Sequence, residues 1–216
     1  MINQRLKALR AAMKENGIDA YIVPSSDAHK SEYVADHWAT RAWISGFTGS
    51  AGLAIITQDH AGVWTDSRYF LQAETQLENS DFELHKQGIP HAPEHRDWLR
   101  DNIKEGGVVA CDGRQFSVGD IRGLEEKLKS KKASLVLDKD LIGEVWEDRP
   151  SLPTASIFEH DVKYAGKSRT EKLAEIRKEM TADYYLVTAL DEIAWTFNLR
   201  GKDVDCLLYT SDAADE

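Results

Sequence analysis

The sequence predicts an α/β fold, a mixed sheet flanked by helices and followed by the start of a second domain of similar fold. Three observations carry that reading. Short apolar runs at residues 20–23, 53–57 and 108–111 have the length and bounding residues of buried strands, and they alternate with segments of helical apolar spacing. Two of the strands, 53–57 and 62–65, are separated only by Gln58-Asp-His-Ala61, which reads as a hairpin turn and makes the sheet mixed rather than purely parallel. A weak echo of the N-terminal helix and strand returns near Leu173.

The elements follow in order. Ile2, Leu6, Leu9 and Met13 share one face of a helix over residues 2–16, which Asn16-Gly17 stops. The strand at 20–23 ends at Pro24, and a loop occupies residues 25–29. After the hairpin, Asp66 can cap a helix over 67–77 whose Phe70, Ala73 and Leu77 face one way. Another helix starts near Pro93 and carries Trp98, Leu99 and Ile103. Strands at 108–111 and 134–137 lie on either side of a helix rich in Glu and Lys.

Two of the five prolines fall in Arg149-Pro-Ser-Leu-Pro153, which suits a stiff boundary. The expected division is a first domain over 1–150, a linker over 151–157 and the beginning of a second domain over 158–205. In the echo, Leu6, Leu9, Arg10 and Met13 correspond to Leu173, Ile176, Arg177 and Met180. Strands at 19–23 and 183–187 follow, and each leads to an acid, Asp27 and Asp191.

The 216 residues are 42% hydrophobic and 30% charged, with a net charge of −10. That composition supports a globular core and argues against nucleic acid or an anionic membrane as partner, because phosphates require clustered Lys and Arg. No run of about 18 apolar residues occurs, and two cysteines do not make a disulfide framework. A soluble, cytoplasmic protein is expected. From Cys206 the register changes, and residues 206–216 resemble a translated sequencing adapter. They are read as a non-native tail, so the natural protein is expected to continue past Asp205.

Several segments bear on chemistry. His91-Ala-Pro-Glu-His95 matches a zinc-protease pattern that needs both histidines on one helical face. Pro93 belongs in a first helical turn, which leaves His91 outside the helix, so the string is read as a decoy. The glycines of Gly46-Phe-Thr-Gly-Ser-Ala-Gly52 lack the Lys-Ser/Thr of a phosphate loop and indicate a tight turn with close backbone packing. No Gly-x-Ser-x-Gly elbow is present, and neither cysteine has an obvious histidine partner in sequence. Of the six tryptophans most are expected in the core, with one or two free to line an interface or cleft. Arg68 is the most informative residue. In a first helical turn the macrodipole disfavours a cation, so either a local ion pair with Asp66 or Glu74 compensates, or Arg68 points into a cleft to grip a carbonyl or carboxylate.

Taken together, a set of strings resembles the eukaryotic-type, three-domain aminopeptidase P family, the Xaa-Pro aminopeptidases of the creatinase/prolidase group. They are Ala20-Tyr-Ile-Val-Pro-Ser-Ser-Asp-Ala-His29 with Ser31-Glu-Tyr33, and Ser45-Gly-Phe-Thr-Gly-Ser-Ala-Gly52 with Ala54-Ile-Ile-Thr57. Trp64-Thr-Asp66 with Arg68-Tyr-Phe-Leu-Gln72, and Val145-Trp146 with Asp148-Arg-Pro150, come next. Val187-Thr-Ala-Leu-Asp-Glu-Ile-Ala-Trp195 with Phe197-Asn-Leu-Arg-Gly201 completes the set, which keeps the family's order.

The resemblance implies a creatinase-like fold for the first two domains and a third domain holding two metal ions, usually manganese (Mn), that activate a water. It implies hydrolysis of the bond between an N-terminal residue and a following proline, with a homodimer as the expected assembly. No catalytic residue and no metal ligand is assigned within this chain. The one residue carried over is Arg68, as a substrate-binding residue. Prolidase, creatinase and a non-catalytic, chaperone-like binding module of the same fold are the alternatives.

Overall fold

The structure, a computed structural model, describes residues 1–202, so the expected tail at 206–216 lies outside the described residues. Six strands form one sheet in the order β4-β3-β2-β1-β5-β6. They are β1 (Ala20–Pro24), β2 (Leu53–Thr57), β3 (Ala61–Thr65), β4 (Glu83–Lys86), β5 (Val108–Cys111) and β6 (Ser134–Val136). β1, β2 and β3 pair antiparallel, whereas β1 with β5, β3 with β4 and β5 with β6 pair parallel. The sheet is therefore mixed, as the hairpin required.

Alternation along each strand sends side chains to two cores. Tyr21, Val23, Ala54, Ile56 and Val63 meet α1 (Ile2–Glu15), α2 (Thr40–Ser45), α3 (Phe70–Leu77) and α6 (Leu141–Val145). On the opposite face Ala20, Ile22, Ile55, Trp64 and Val109 meet α4 (His95–Asn102) and α5 (Val118–Leu128). In α1 the buried residues are Leu6, Leu9, Ala12 and Met13, the stripe that the sequence spacing marks out. Tyr21 is buried in the first core, and its hydroxyl donates to the Lys139 carbonyl at 2.7 Å and accepts from the Leu141 amide at 3.1 Å. The chain beyond β6 is thereby fastened to the central strand.

Three elements escape the sequence reading. β4, Glu83-Leu-His-Lys86, carries few strand formers and is held as an edge by backbone pairing to β3. α2 and α6 have only six and five residues, too short to show a period. The expected helix over 67–77 is divided: a 3-10 turn at Ser67–Tyr69 leads into α3, because Asp66 caps the turn through the Arg68 amide.

Beyond residue 150 the chain is exposed and without regular structure as far as 157. α7 (Val162–Ala165), α8 (Arg169–Glu179) and α9 (Leu190–Phe197) follow, with a two-stranded pair of β7 (Phe158–Glu159) and β8 (Leu199–Arg200). Ser168 and Glu171 form a reciprocal capping box at the start of α8. Lys172, 3% exposed, anchors the unit: its ammonium donates to the Trp195 carbonyl at 2.9 Å and to Asn198 Oδ1 at 2.8 Å, over the Trp195 ring.

The expected strand at 183–187 is corrected here. That segment has no strand geometry, and Tyr184, Tyr185 and Leu186 are exposed, Tyr184 to 91%. A strand needs neighbours for its backbone groups, and among the described residues none lies beside this one.

Candidate functional site

The site grows from the C-terminal end of β3. Asp66 accepts the Arg68 backbone N–H at 3.0 Å, and the same carboxylate takes both prongs of the guanidinium, Nε at 3.0 Å and Nη2 at 2.8 Å. Arg68 therefore has the local partner that the first-turn argument demands, and the partner is Asp66. Glu74 instead pairs with Lys86 at 2.6 Å. The Arg68 side chain is 67% exposed and lies against the Tyr69 ring at 5.3 Å. Asp66 holds the guanidinium pKa up, while Arg68 holds the carboxylate below its usual range.

Tyr69 joins this turn to the glycine loop, since its hydroxyl and Ser50 Oγ are 2.7 Å apart. The loop itself is fixed from three sides. Thr65 Oγ1 donates to the Ala51 carbonyl at 2.7 Å, and Ser25 Oγ donates to the Gly52 carbonyl at 2.9 Å. Arg41, buried behind the loop, donates to Ser25 Oγ and to the Gly49 carbonyl and lies 4.5 Å from the Phe47 ring centre. Burial pulls the Arg41 pKa down to about 10, so it stays cationic at neutral pH. A Cβ on Gly49 would fall 2.4 Å from Phe47 Cζ and 2.7 Å from Tyr69 Cδ1, which is the close packing the glycine pattern indicated. A recess of about 220 Å³ opens beside the loop, lined by Ser25, Tyr33, Trp38, Arg41, Gly49 and Ser50 among others.

Other sequence candidates resolve differently. Asp27 is buried and accepts the amides of His29 and Ser31, each at 2.9 Å, so it shapes the loop after β1. His91 lies outside α4, which begins at His95, and Glu94 accepts from Gln87 and Gly88 instead of facing the histidines. Cys111 is buried, and desolvation, with Asp112 adding to it, pushes its thiol up to about 12, far from a usable nucleophile.

One constellation was missed from sequence. His60, Glu83 and His85 come together across β3 and β4, and they are the one group of three or more potential metal ligands among the described residues. Residues so far apart in the chain leave no spacing signal.

The comparisons bear on the whole chain. A model described as the Creatinase/Prolidase N-terminal domain matches residues 5–141, and a second model with the same description matches residues 148–209. A probable Xaa-Pro aminopeptidase P of Laccaria bicolor is 46% identical over 207 residues, covering 94% of this chain and 32% of that protein. Aminopeptidase P2 of Arabidopsis thaliana is 44% identical over 212 residues, covering 94% of this chain and 30% of its own length. The crystal structure of X-prolyl aminopeptidase from Caenorhabditis elegans, described as a cytosolic enzyme with a di-nuclear active site, superimposes with a TM-score of 0.87. It is 30% identical, over 94% of this chain and 35% of that one. The chain thus spans about a third of the length of these relatives. With a domain model matched over residues 5–141, in a mixed sheet flanked by helices, the chain belongs to the creatinase/prolidase N-terminal domain family.

Proposed function

We propose that this chain is the N-terminal region of a metal-dependent Xaa-Pro aminopeptidase, with Arg68 presented to the peptide substrate. The observation that carries the reading is similarity along almost the entire chain to proteins named for that activity, with the backbone superposition described above. Arg68 supports it locally. The Asp66 clasp and the braced loop fix the base of the side chain, while the outer edge of the guanidinium faces solvent, free to meet a carbonyl or carboxylate.

A pair of manganese ions asks for a donor set rich in carboxylate oxygens. His60, Glu83 and His85 offer two imidazoles and a single carboxylate, so the described residues do not fit such a pair. The hydrolytic step is accordingly assigned to residues outside the described ones, and this region serves substrate access and assembly. The homodimer and the cytoplasmic location belong to the same proposal. Among the described residues no helix is long and apolar enough to cross a membrane.

The test uses the complete protein, purified with manganese, and measures release of the N-terminal residue from peptides with proline in second position. Turnover by the complete protein and none by residues 1–205 is the expected result. A complete protein that binds such peptides without cleaving them would establish the non-catalytic binding module instead. Cleavage by residues 1–205 alone would overturn the division of labour.

A further inference from the structure

We propose that His60, Glu83 and His85 form a binding site for one divalent transition-metal ion of the zinc class. The proposal does not rest on the peptidase reading.

The topology assembles the site. β3 and β4 run parallel with Gly62 beside Glu83 and Trp64 beside His85, so residues 60, 62 and 64 on one row and 83 and 85 on the next share a face. His60 enters from the hairpin turn. Its Nε2 is 3.1 Å from His85 Nε2, and its Nδ1 is 3.8 Å from Glu83 Oε1. One donor atom from each residue falls within 4.8 Å of the other two.

The room for these rings is specific. A Cβ on Gly62 would stand 2.7 Å from His85 Cδ2 and 2.8 Å from His60 Nε2, so only glycine lets the imidazoles meet over this strand. Glycine inside a strand weakens it, and close approach of another group is a usual reason for its presence. The rings are also held in place. Trp64 stacks on His85 at 4.0 Å and 9°, and Trp98 lies 4.5 Å from His60. Glu83 stands at the mouth with its side chain 73% exposed, which leaves a route in from solvent and places for water ligands.

The donor chemistry selects the ion. A metal takes the neutral imidazole through its unprotonated ring nitrogen, and each of these rings has two nitrogens that can play that part. Two imidazoles and a carboxylate suit zinc, nickel or copper better than calcium or magnesium. Zinc–nitrogen bonds of about 2.0–2.1 Å in a tetrahedron place two ligand nitrogens roughly 3.3 Å apart. The 3.1 Å span of the pair is near that value. Without an ion the two nitrogens share a proton in an N–H···N bond; an ion displaces that proton, which passes to solvent or to the Nδ1 of the same ring, and both Nε2 lone pairs then face the metal.

The test titrates the full 216-residue chain with zinc chloride by calorimetry, and with copper(II) while tryptophan emission is followed. One ion per chain is expected, with copper quenching emission because Trp64 and Trp98 pack on the ligands. Glu83→Gln, at an exposed position that leaves the fold intact, and His85→Gln are each expected to weaken binding. The loss should be at least about tenfold, since even outer-shell partners are worth about 10–100-fold. His91→Gln should leave it unchanged. No uptake by the unmodified chain at about 100 μM zinc, a weak-binding threshold, overturns the proposal. So does uptake that both ligand variants retain, or that His91→Gln removes.

Discussion

Arg68 and Asp66 close a two-pronged clasp in which the backbone amide of the arginine joins its own guanidinium on one carboxylate. The same clasp recurs at the end of β5, where Asp112 accepts the Arg114 amide at 3.1 Å and its Nε and Nη2 at 2.8 Å each. Each Asp-x-Arg turn caps a strand with a 3-10 turn, yet their surroundings differ. Asp66 is half-exposed, whereas Asp112 is buried and also accepts from Gln115.

That difference predicts unequal costs. Asp112→Ala leaves the Gln115 amide and the Arg114 backbone N–H without their acceptor, and should cost about 2–3 kcal/mol in urea unfolding. Asp66→Ala should shift the midpoint far less, because exposed pairs contribute little. Equal shifts would show that the burial of Asp112 is energetically irrelevant.

The proposed role of Arg68 is tested in the complete protein. Arg68→Ala should lower kcat/KM for Xaa-Pro peptides roughly 10- to 150-fold, the value of a charge-assisted hydrogen bond. The melting temperature should hardly move, since the side chain is mostly in water. Arg68→Lys should not rescue activity, because an ammonium cannot reproduce a planar fork. Early melting with normal kcat/KM would make Arg68 a purely structural partner of Asp66.

Asp120 predicts an acid dependence. Partial burial raises its pKa, but hydrogen bonds from Ser117 and Lys30, with the charge of Lys30, overcome this and bring it from 3.8 to about 2. A folded-state pKa below the unfolded one stabilises above the unfolded value, and that contribution is lost as pH falls from about 4 towards 2. With the side chain a third exposed, the gap between wild type and Asp120→Asn should be about 1 kcal/mol at neutral pH and close towards pH 2. A gap constant with pH would mean that Asp120 acts only as a capping group.

The domain division predicts the course of limited proteolysis. Residues 151–157 are exposed and lack regular structure, whereas both cores of the sheet are complete by Trp146. Cleavage should begin near 150–157 and leave a resistant N-terminal piece. Cuts scattered through residues 1–150, with the remainder protected, would refute the division.

Much of the fold is legible because burial imposes periods. The α1 stripe, the β2–β3 hairpin and the two-faced strands follow from spacing alone. What spacing does not reveal is contact between distant segments. Glu83-Leu-His-Lys86 has no strand signature, so neither β4 nor the His60–His85 approach could be foreseen. At Arg68 the sequence named both possible partners, and only the fold separates Asp66 from Glu74. The strand expected at 183–187 shows the converse error: local composition favoured it, but no neighbouring strand is described there to receive it.

The hold of Lys139 and Leu141 on the Tyr21 hydroxyl has a consequence for synthesis. The partners are 118 and 120 positions apart in the chain, and β1 also waits for β5 before both its edges are paired. Contacts of such long separation close late, after their loop entropy has been overcome. A nascent chain that has not yet reached Val108 would therefore carry α1 and the hairpin with an open seam along β1. The polar closure around Tyr21 can be completed only once the chain has grown as far as Leu141.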